Sequence, residues 1–139
     1  MMIGLDTNIL ARYYIQDEAD TEAEKQHRLA RILVESGEPL TVCKTVFLEF
    51  EWVMRGYYQF SSSDVSAVFQ HLLSLEHVMI EDRTAIQQAI ANFELGFDFA
   101  DVLHHASYKD CTTVASFDDK KFARRAKQNG LMPSVIVPK

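Results

Sequence analysis

Apolar residues along this chain fall into two alternating patterns. Met2–Leu5 is a short apolar run that stops at Asp6, the signature of a buried strand. Pro39–Cys43, His77–Glu81, Thr112–Phe117 and Val135–Val137 are further runs of strand length, and Thr112–Phe117 ends at a second acid, Asp118. Between them, apolar residues recur at helical spacing. Ile9–Ile15 predicts a first helix. Thr21-Glu22-Ala23-Glu24 has the form of a capping box, and the helix it opens carries Leu29, Ile32 and Leu33 as its inner face, with Gly37 placed to end it. Val46–Tyr57 predicts the next helix. Ser61-Ser62-Ser63 opens another, with Val65, Val68, Phe69 and Leu72 on its apolar side. Thr84–Glu94 is helical through Ile86, Ala89, Ile90 and Phe93. Gly96 breaks that pattern, Asp98 caps a helix running to Lys109, and Lys120–Asn129 forms a last helix closed by Gly130.

Strands alternating with helices imply an α/β fold, here a three-layer α/β/α domain with a central, mostly parallel sheet. No repeat, low-complexity run or Pro/Gly-rich linker divides the sequence, so residues 1–139 are expected to form a single domain. Composition agrees: 47% hydrophobic and 24% charged residues is the balance of a folded protein, not a disordered one. No apolar run approaches the ~20 residues that span a bilayer. The start, Met1-Met2-Ile3-Gly4-Leu5-Asp6, lacks a basic n-region, so no signal peptide is expected. Cys43 and Cys111 stand apart in apolar stretches and predict buried free thiols in a reducing cytoplasm. The net charge of −6 argues against coating nucleic acid by bulk electrostatics. It leaves open an enzyme that binds a cation first and a phosphate backbone through it.

Most acids need no function. Asp17, Glu18, Asp20, Glu22 and Glu24 crowd a helix start, where negative charge is favoured. Four others are harder to explain. Asp6 and Asp118 each follow a strand, and in open parallel sheets ligands bind outside the carboxyl ends of strands. Each acid is equally suited to cap a helix, and the two roles are compatible. On a helix turning about 100° per residue from Val46, Phe50, Val53 and Met54 fall within about 80° of it, and Glu49 lands near 300°, inside the apolar arc. An inward carboxylate needs a partner. Glu51 faces outward, one turn from Arg55. Asp101 lies three residues after Asp98 in a first helical turn, where dipole compensation explains one acid better than two. Carboxylates about 5 Å apart repel by roughly 3 kcal/mol per pair at an effective dielectric of ~20. If Asp6, Glu49, Asp101 and Asp118 converge, they need a cation. Oxygen-only ligands suit Mg²⁺ or Mn²⁺, and no His/Cys spacing suggests zinc. Such an ion beside an open site activates water against a phosphodiester.

The segments Leu5-Asp6-Thr7-Asn8-Ile9-Leu10, Phe47-Leu48-Glu49-Phe50-Glu51-Trp52-Val53-Met54, Asp98-Phe99-Ala100-Asp101-Val102-Leu103-His104 and Ala115-Ser116-Phe117-Asp118-Asp119-Lys120-Lys121-Phe122 together resemble a PIN domain. More narrowly, the chain is similar to the VapC-like toxin ribonucleases of type II toxin–antitoxin systems. The segments occur in the family's order and span positions 5 to 122. The resemblance places the family's metal-binding, catalytic acids at Asp6, Glu49, Asp101 and Asp118. Thr7 or Asn8 then supports the first acid, Ser116 stands where the family often has Thr, and Asp98 is a secondary acid. It further implies Mg²⁺- or Mn²⁺-dependent endonucleolytic cleavage of RNA by water, a homodimer, and a cognate antitoxin that covers the site.

Other features carry two readings each. Lys120, Lys121, Arg124, Arg125 and Lys127 form either an RNA-backbone contact or a solvated helix face with cations near its C-terminus. His104 is expected as a satisfied histidine at the core edge, with a ligand role as the alternative. Trp52, Tyr57, Tyr58 and Phe60 are expected in the core, with an antitoxin or dimer contact as the alternative. A HAD-type phosphohydrolase wants a second Asp where this chain has Asn8, and a receiver domain wants an acidic pair where Asp6 stands alone. The competing class is a catalytically inactive PIN-like module that holds RNA or a protein partner.

Overall fold

A computed structural model describes residues 2–16 and 20–139, so Asp17 and Glu18 of the acidic run lie outside the described residues. The chain is mixed α/β and divides into two compact units, Met1–Asp82 and Arg83–Lys139. No helix among the described residues is long and apolar enough to cross a membrane.

The first unit runs β1 (Ile3–Gly4), α1 (Thr7–Tyr14), α2 (Thr21–Val34), β2 (Leu40–Val42), α3 (Lys44–Trp52), a π-helical turn (Val53–Tyr57), α4 (Ser62–Ser74) and β3 (Val78–Ile80). Its strands make a parallel sheet of order β1-β2-β3, with Ile3 opposite Leu40 and Leu40 opposite Val78. Leu40 and Val42 are buried in the central strand. Beside the sheet, Phe47 and Phe69 meet edge to face at 5.1 Å with Phe50 against them. Burying a ring of this kind stabilises by about 1.5–3 kcal/mol.

Two helix faces differ from their expected orientation. The cap of α2 is Asp20, not Thr21: its carboxylate accepts the Glu22 N–H at 3.0 Å. Asp one residue upstream is at least as good a cap as Thr, and wins. Leu29 and Ile32 are 56% and 70% exposed, and the inner stripe is Ala23, Ala30 and Val34. Those small residues let α1 pack closely on α2, where His27 Nδ1 lies 2.6 Å from the Arg12 carbonyl. In α3 the buried residues are Val46, Phe47 and Phe50, with Met54 beyond, which centres the inner arc about 55° past Val46. Glu49 falls outside that arc and is exposed, whereas Glu51 is half-buried. Val53 and Trp52 lie on either side of Glu49, but Val53 is only half-buried and Trp52 is 69% exposed, so the inner arc stops short of them. Tyr57 is exposed as well, so the aromatic group after α3 is not all core.

Cys43 caps α3 without a side-chain hydrogen bond to its backbone. Glu81, just past β3, supplies what is missing by accepting the Lys44 N–H at 2.7 Å, and Lys44 Nζ pairs with Asp82 at 3.1 Å. Both cysteines are free but exposed, because each lies past the end of an element and not within it.

The second unit runs α5 (Arg83–Glu94), α6 (Phe99–Ser107), β4 (Thr113–Ala115), a second π-helical turn (Asp119–Ala123), α7 (Arg124–Gln128) and β5 (Ser134–Ile136). α5 and α6 pack on each other, and β4 pairs in parallel with β5, Val114 opposite Val135. Gly96 takes φ +100° after α5, a conformation that suits glycine. Arg125 donates to the Gly96 and Leu95 carbonyls at 3.2 and 3.4 Å and lies 4.5 Å from the centre of the Phe97 ring. His105 is buried in α6, with Nε2 2.6 Å from the Pro133 carbonyl.

Candidate functional site

In the first unit, Asp6 follows β1 and caps α1, its Oδ1 accepting the Thr7 N–H at 2.8 Å. Asp6 is exposed. Thr7 therefore supports this acid through its backbone. Its hydroxyl is buried and has no hydrogen-bond partner among the described residues. Asn8 lines a pocket of about 290 Å³ between α1 and α2, together with Ile9, Arg12 and Leu29. Glu49 is exposed on α3, so no burial cost demands a partner for it.

The second unit holds the other three acids, and there the carboxylates act on one another. Asp98 caps α6, its Oδ2 accepting the Asp101 N–H at 3.1 Å. Asp101 is half-buried. Its carboxyl is pushed above the usual range, first by burial and then by the negative charges of Asp98 and Asp118, while His104 opposes the shift. Asp118 caps the second π-helical turn, with Oδ1 accepting the Lys121 N–H at 3.0 Å. Ser116 fixes that acid from the other side: its Oγ accepts the Asp118 N–H at 3.1 Å, and its own N–H donates to the Ile136 carbonyl at 2.9 Å. Capping and ligand roles remain compatible, since each cap bond uses one carboxylate oxygen.

A pocket of about 270 Å³ opens beside Asp101, lined also by His104, His105, Tyr108 and Ser116. His104 is exposed and not at the core edge, because Phe99, Val102, Leu103 and Ala106 fix the inner face of α6 on the other side. The buried histidine is His105, whose Nδ1 has no hydrogen-bond partner among the described residues.

The basic segment is not one uniform face. Arg124 binds Asp119 through Nε and Nη2 at 3.0 and 2.8 Å, and Arg125 is engaged with the end of α5. Lys120, Lys121 and Lys127 are left exposed.

The donor set, carboxylates without sulfur, fits a hard cation such as Mg²⁺ or Mn²⁺. Among the described residues no three His, Cys, Asp or Glu side chains form a ready-made metal cage. Asp98, Asp101 and Asp118 are thus coupled through their charges without being gathered into one. One residue beside these acids escaped the sequence reading. Phe117, between Ser116 and Asp118, is 83% exposed, and the only signal for it was its place at the end of an otherwise apolar strand. No protein-family model matches the chain, and no curated protein does so either.

Proposed function

We propose that this chain is a metal-dependent endoribonuclease with a three-layer PIN-like fold, the toxin component of a toxin–antitoxin pair. The observation that carries the reading is Asp101, a half-buried acid whose ionised form is disfavoured by burial and by two further acids. An arrangement that penalises its own negative charge is suited to a cation. The parallel pairing of every strand supports the fold assignment.

The reading assigns metal binding and catalysis to Asp6, Glu49, Asp101 and Asp118, with Asp98 and Ser116 as positioning residues. When bound, Mg²⁺ or Mn²⁺ supplies Lewis-acid activation of water and charge neutralisation at the phosphate. Asp98 holds the first turn of α6, and so the backbone of Asp101, in place. Ser116 holds the backbone of Asp118. Lys120, Lys121 and Lys127 attract the RNA backbone, which makes activity fall with salt. In this reading the chain acts in the cytoplasm as a homodimer, and a cognate antitoxin covers the site.

The test is incubation of the partner-free protein with tRNA and short structured RNAs in Mg²⁺, Mn²⁺ or EDTA. Asp6→Asn, Asp101→Asn and an exposed control, Asp110→Asn, run alongside. Defined fragments that vanish with EDTA and with the first two variants, but persist in the control, support the reading. Cleavage that survives both variants points to a contaminating nuclease. No cleavage of any RNA, with metal still bound, moves the chain to an inactive binding module.

A further inference from the structure

We infer that Phe117 is a base-stacking residue that seats an unpaired nucleotide of single-stranded RNA beside Asp118. The inference rests on the ribonuclease reading and adds to it how the strand is held. Phe117 is the most exposed large apolar side chain among the described residues, at 83%. Its exposure is not the looseness of a frayed loop. On one side the Ser116 N–H is tied to the Ile136 carbonyl at 2.9 Å. On the other, the Asp118 N–H is tied to Ser116 Oγ at 3.1 Å and Asp118 Oδ1 to the Lys121 N–H at 3.0 Å. The backbone is thus pinned on both sides of a ring that it holds out in water, where an apolar side chain gains nothing for the fold.

What surrounds the ring selects its occupant. Along the chain Asp118 and Asp119 follow it, Asp119 held by Arg124, and Lys120 and Lys121 stand exposed three and four residues after the ring. Cations that follow a phosphate backbone, together with an aromatic face that accepts any base, are the two components of single-strand recognition. Ile136, whose carbonyl holds Ser116, is also 47% exposed, so apolar surface continues past the ring, and it is the two exposed lysines that favour a polyanion over an apolar protein surface. A duplex offers no free base face to the ring, so the substrate class is an unpaired loop or strand. The ring fixes where the strand lies and takes no part in proton transfer, so Phe117 is a substrate-binding residue.

The experiment measures anisotropy of a short labelled single-stranded RNA in EDTA, where no cleavage occurs, for wild type, Phe117→Ala and Phe117→Tyr. Cleavage in Mg²⁺ and sedimentation of each protein are measured in parallel. We expect Phe117→Ala to weaken RNA binding about tenfold. It should raise KM by a similar factor with kcat nearly unchanged, and Phe117→Tyr should restore both. A duplex of the same sequence should bind wild type and Phe117→Ala alike. Unchanged single-strand affinity in Phe117→Ala overturns the inference, even if the wild type cleaves RNA. A shift in oligomeric state with unchanged RNA affinity overturns it too, and gives the ring to a protein interface. Loss of binding in Phe117→Ala, in a wild type that cleaves nothing, upholds the stacking role and sinks the ribonuclease reading instead.

Discussion

Asp6 and Glu49 in the first unit and Asp101 in the second carry the same functional group in two different settings, while Asp98 and Asp118 are exposed like the first pair. Asp6 is exposed at the end of a two-residue strand and spends one oxygen on the Thr7 N–H. Glu49 is exposed on the solvent side of α3. Water solvates both. In the second unit Asp101 is half-buried, and two neighbouring acids add to the cost of ionising it. The difference teaches where a cation would act most strongly. It changes little for a hydrated acid and relieves a standing repulsion for a crowded one.

The largest effect expected from that contrast is a split between activity and stability in Asp101→Asn. Cleavage should fall at least about a hundredfold, on the order of what loss of a preorganised charged group costs. In EDTA at neutral pH the same variant should melt slightly higher than wild type. The direction follows from linkage. A carboxyl whose folded-state pKa is raised above its unfolded value adds stability at low pH, and that stability is lost as pH rises through the folded-state pKa. The advantage of Asp101→Asn should therefore vanish when melting is repeated below the usual carboxylate range. An Asp101→Asn protein that melts lower than wild type at neutral pH would remove the repulsion from the argument.

Next in size is the response to cation. If metal binds the folded chain, Mn²⁺ at about a hundred times its dissociation constant should stabilise wild type by about 2.7 kcal/mol. Differential scanning fluorimetry reads this without any RNA. Asp101→Asn and Asp118→Asn should lose most of the rise. A rise of equal size in both variants would detach the metal from the second unit's acids.

How far the sequence reached depended on how many neighbours fixed each residue. The α/β alternation, the parallel strands and the caps Asp98 and Ser61 were legible, because short-range chemistry decides them. So was the grouping of Asp98 with Asp101, set by one helical turn. The pairing of Asp118 with Asp101 was expected only through the resemblance, since it depends on how β4 and the turn after it lie against α6. The face of α3 was misread because a helix with apolar residues on most sides has no unique inner direction. The choice fell to its packing partners. Leu29 and Ile32 misled for the opposite reason: the α1–α2 contact needed the small side chains of Ala23 and Ala30, not the large ones. The division of the basic segment was hidden too, because Arg125 finds its partners 29 and 30 residues away.

A smaller effect should come from Gly96→Ala. Gly96 holds φ +100°, and an added Cβ would stand 3.2 Å from Arg125 Nη2. Backbone strain and displacement of that guanidinium together should cost about 1–2 kcal/mol, read by urea denaturation. Arg125→Ala, which also gives up the contact with the Phe97 ring, should cost a similar amount. Arg124→Ala, losing only an exposed pair with Asp119, should leave the midpoint where it is. If Arg124→Ala cost more than Arg125→Ala, the structural and solvated halves of the basic segment would have to be exchanged.

The smallest stability effect should belong to Glu49→Gln, and it bears most directly on the contrast between the units. An inward Glu49 held by a partner would leave that partner unsatisfied once neutralised, which costs about 1–3 kcal/mol. An exposed Glu49 has no such debt, and the denaturation midpoint should match wild type within error. Activity is the separate readout. If Glu49 serves the cation, cleavage should drop while the fold is untouched, the pattern of a group retained for chemistry and not for packing. A midpoint that falls along with activity would instead return Glu49 to the interior, and the first unit would then hold a strained acid of its own.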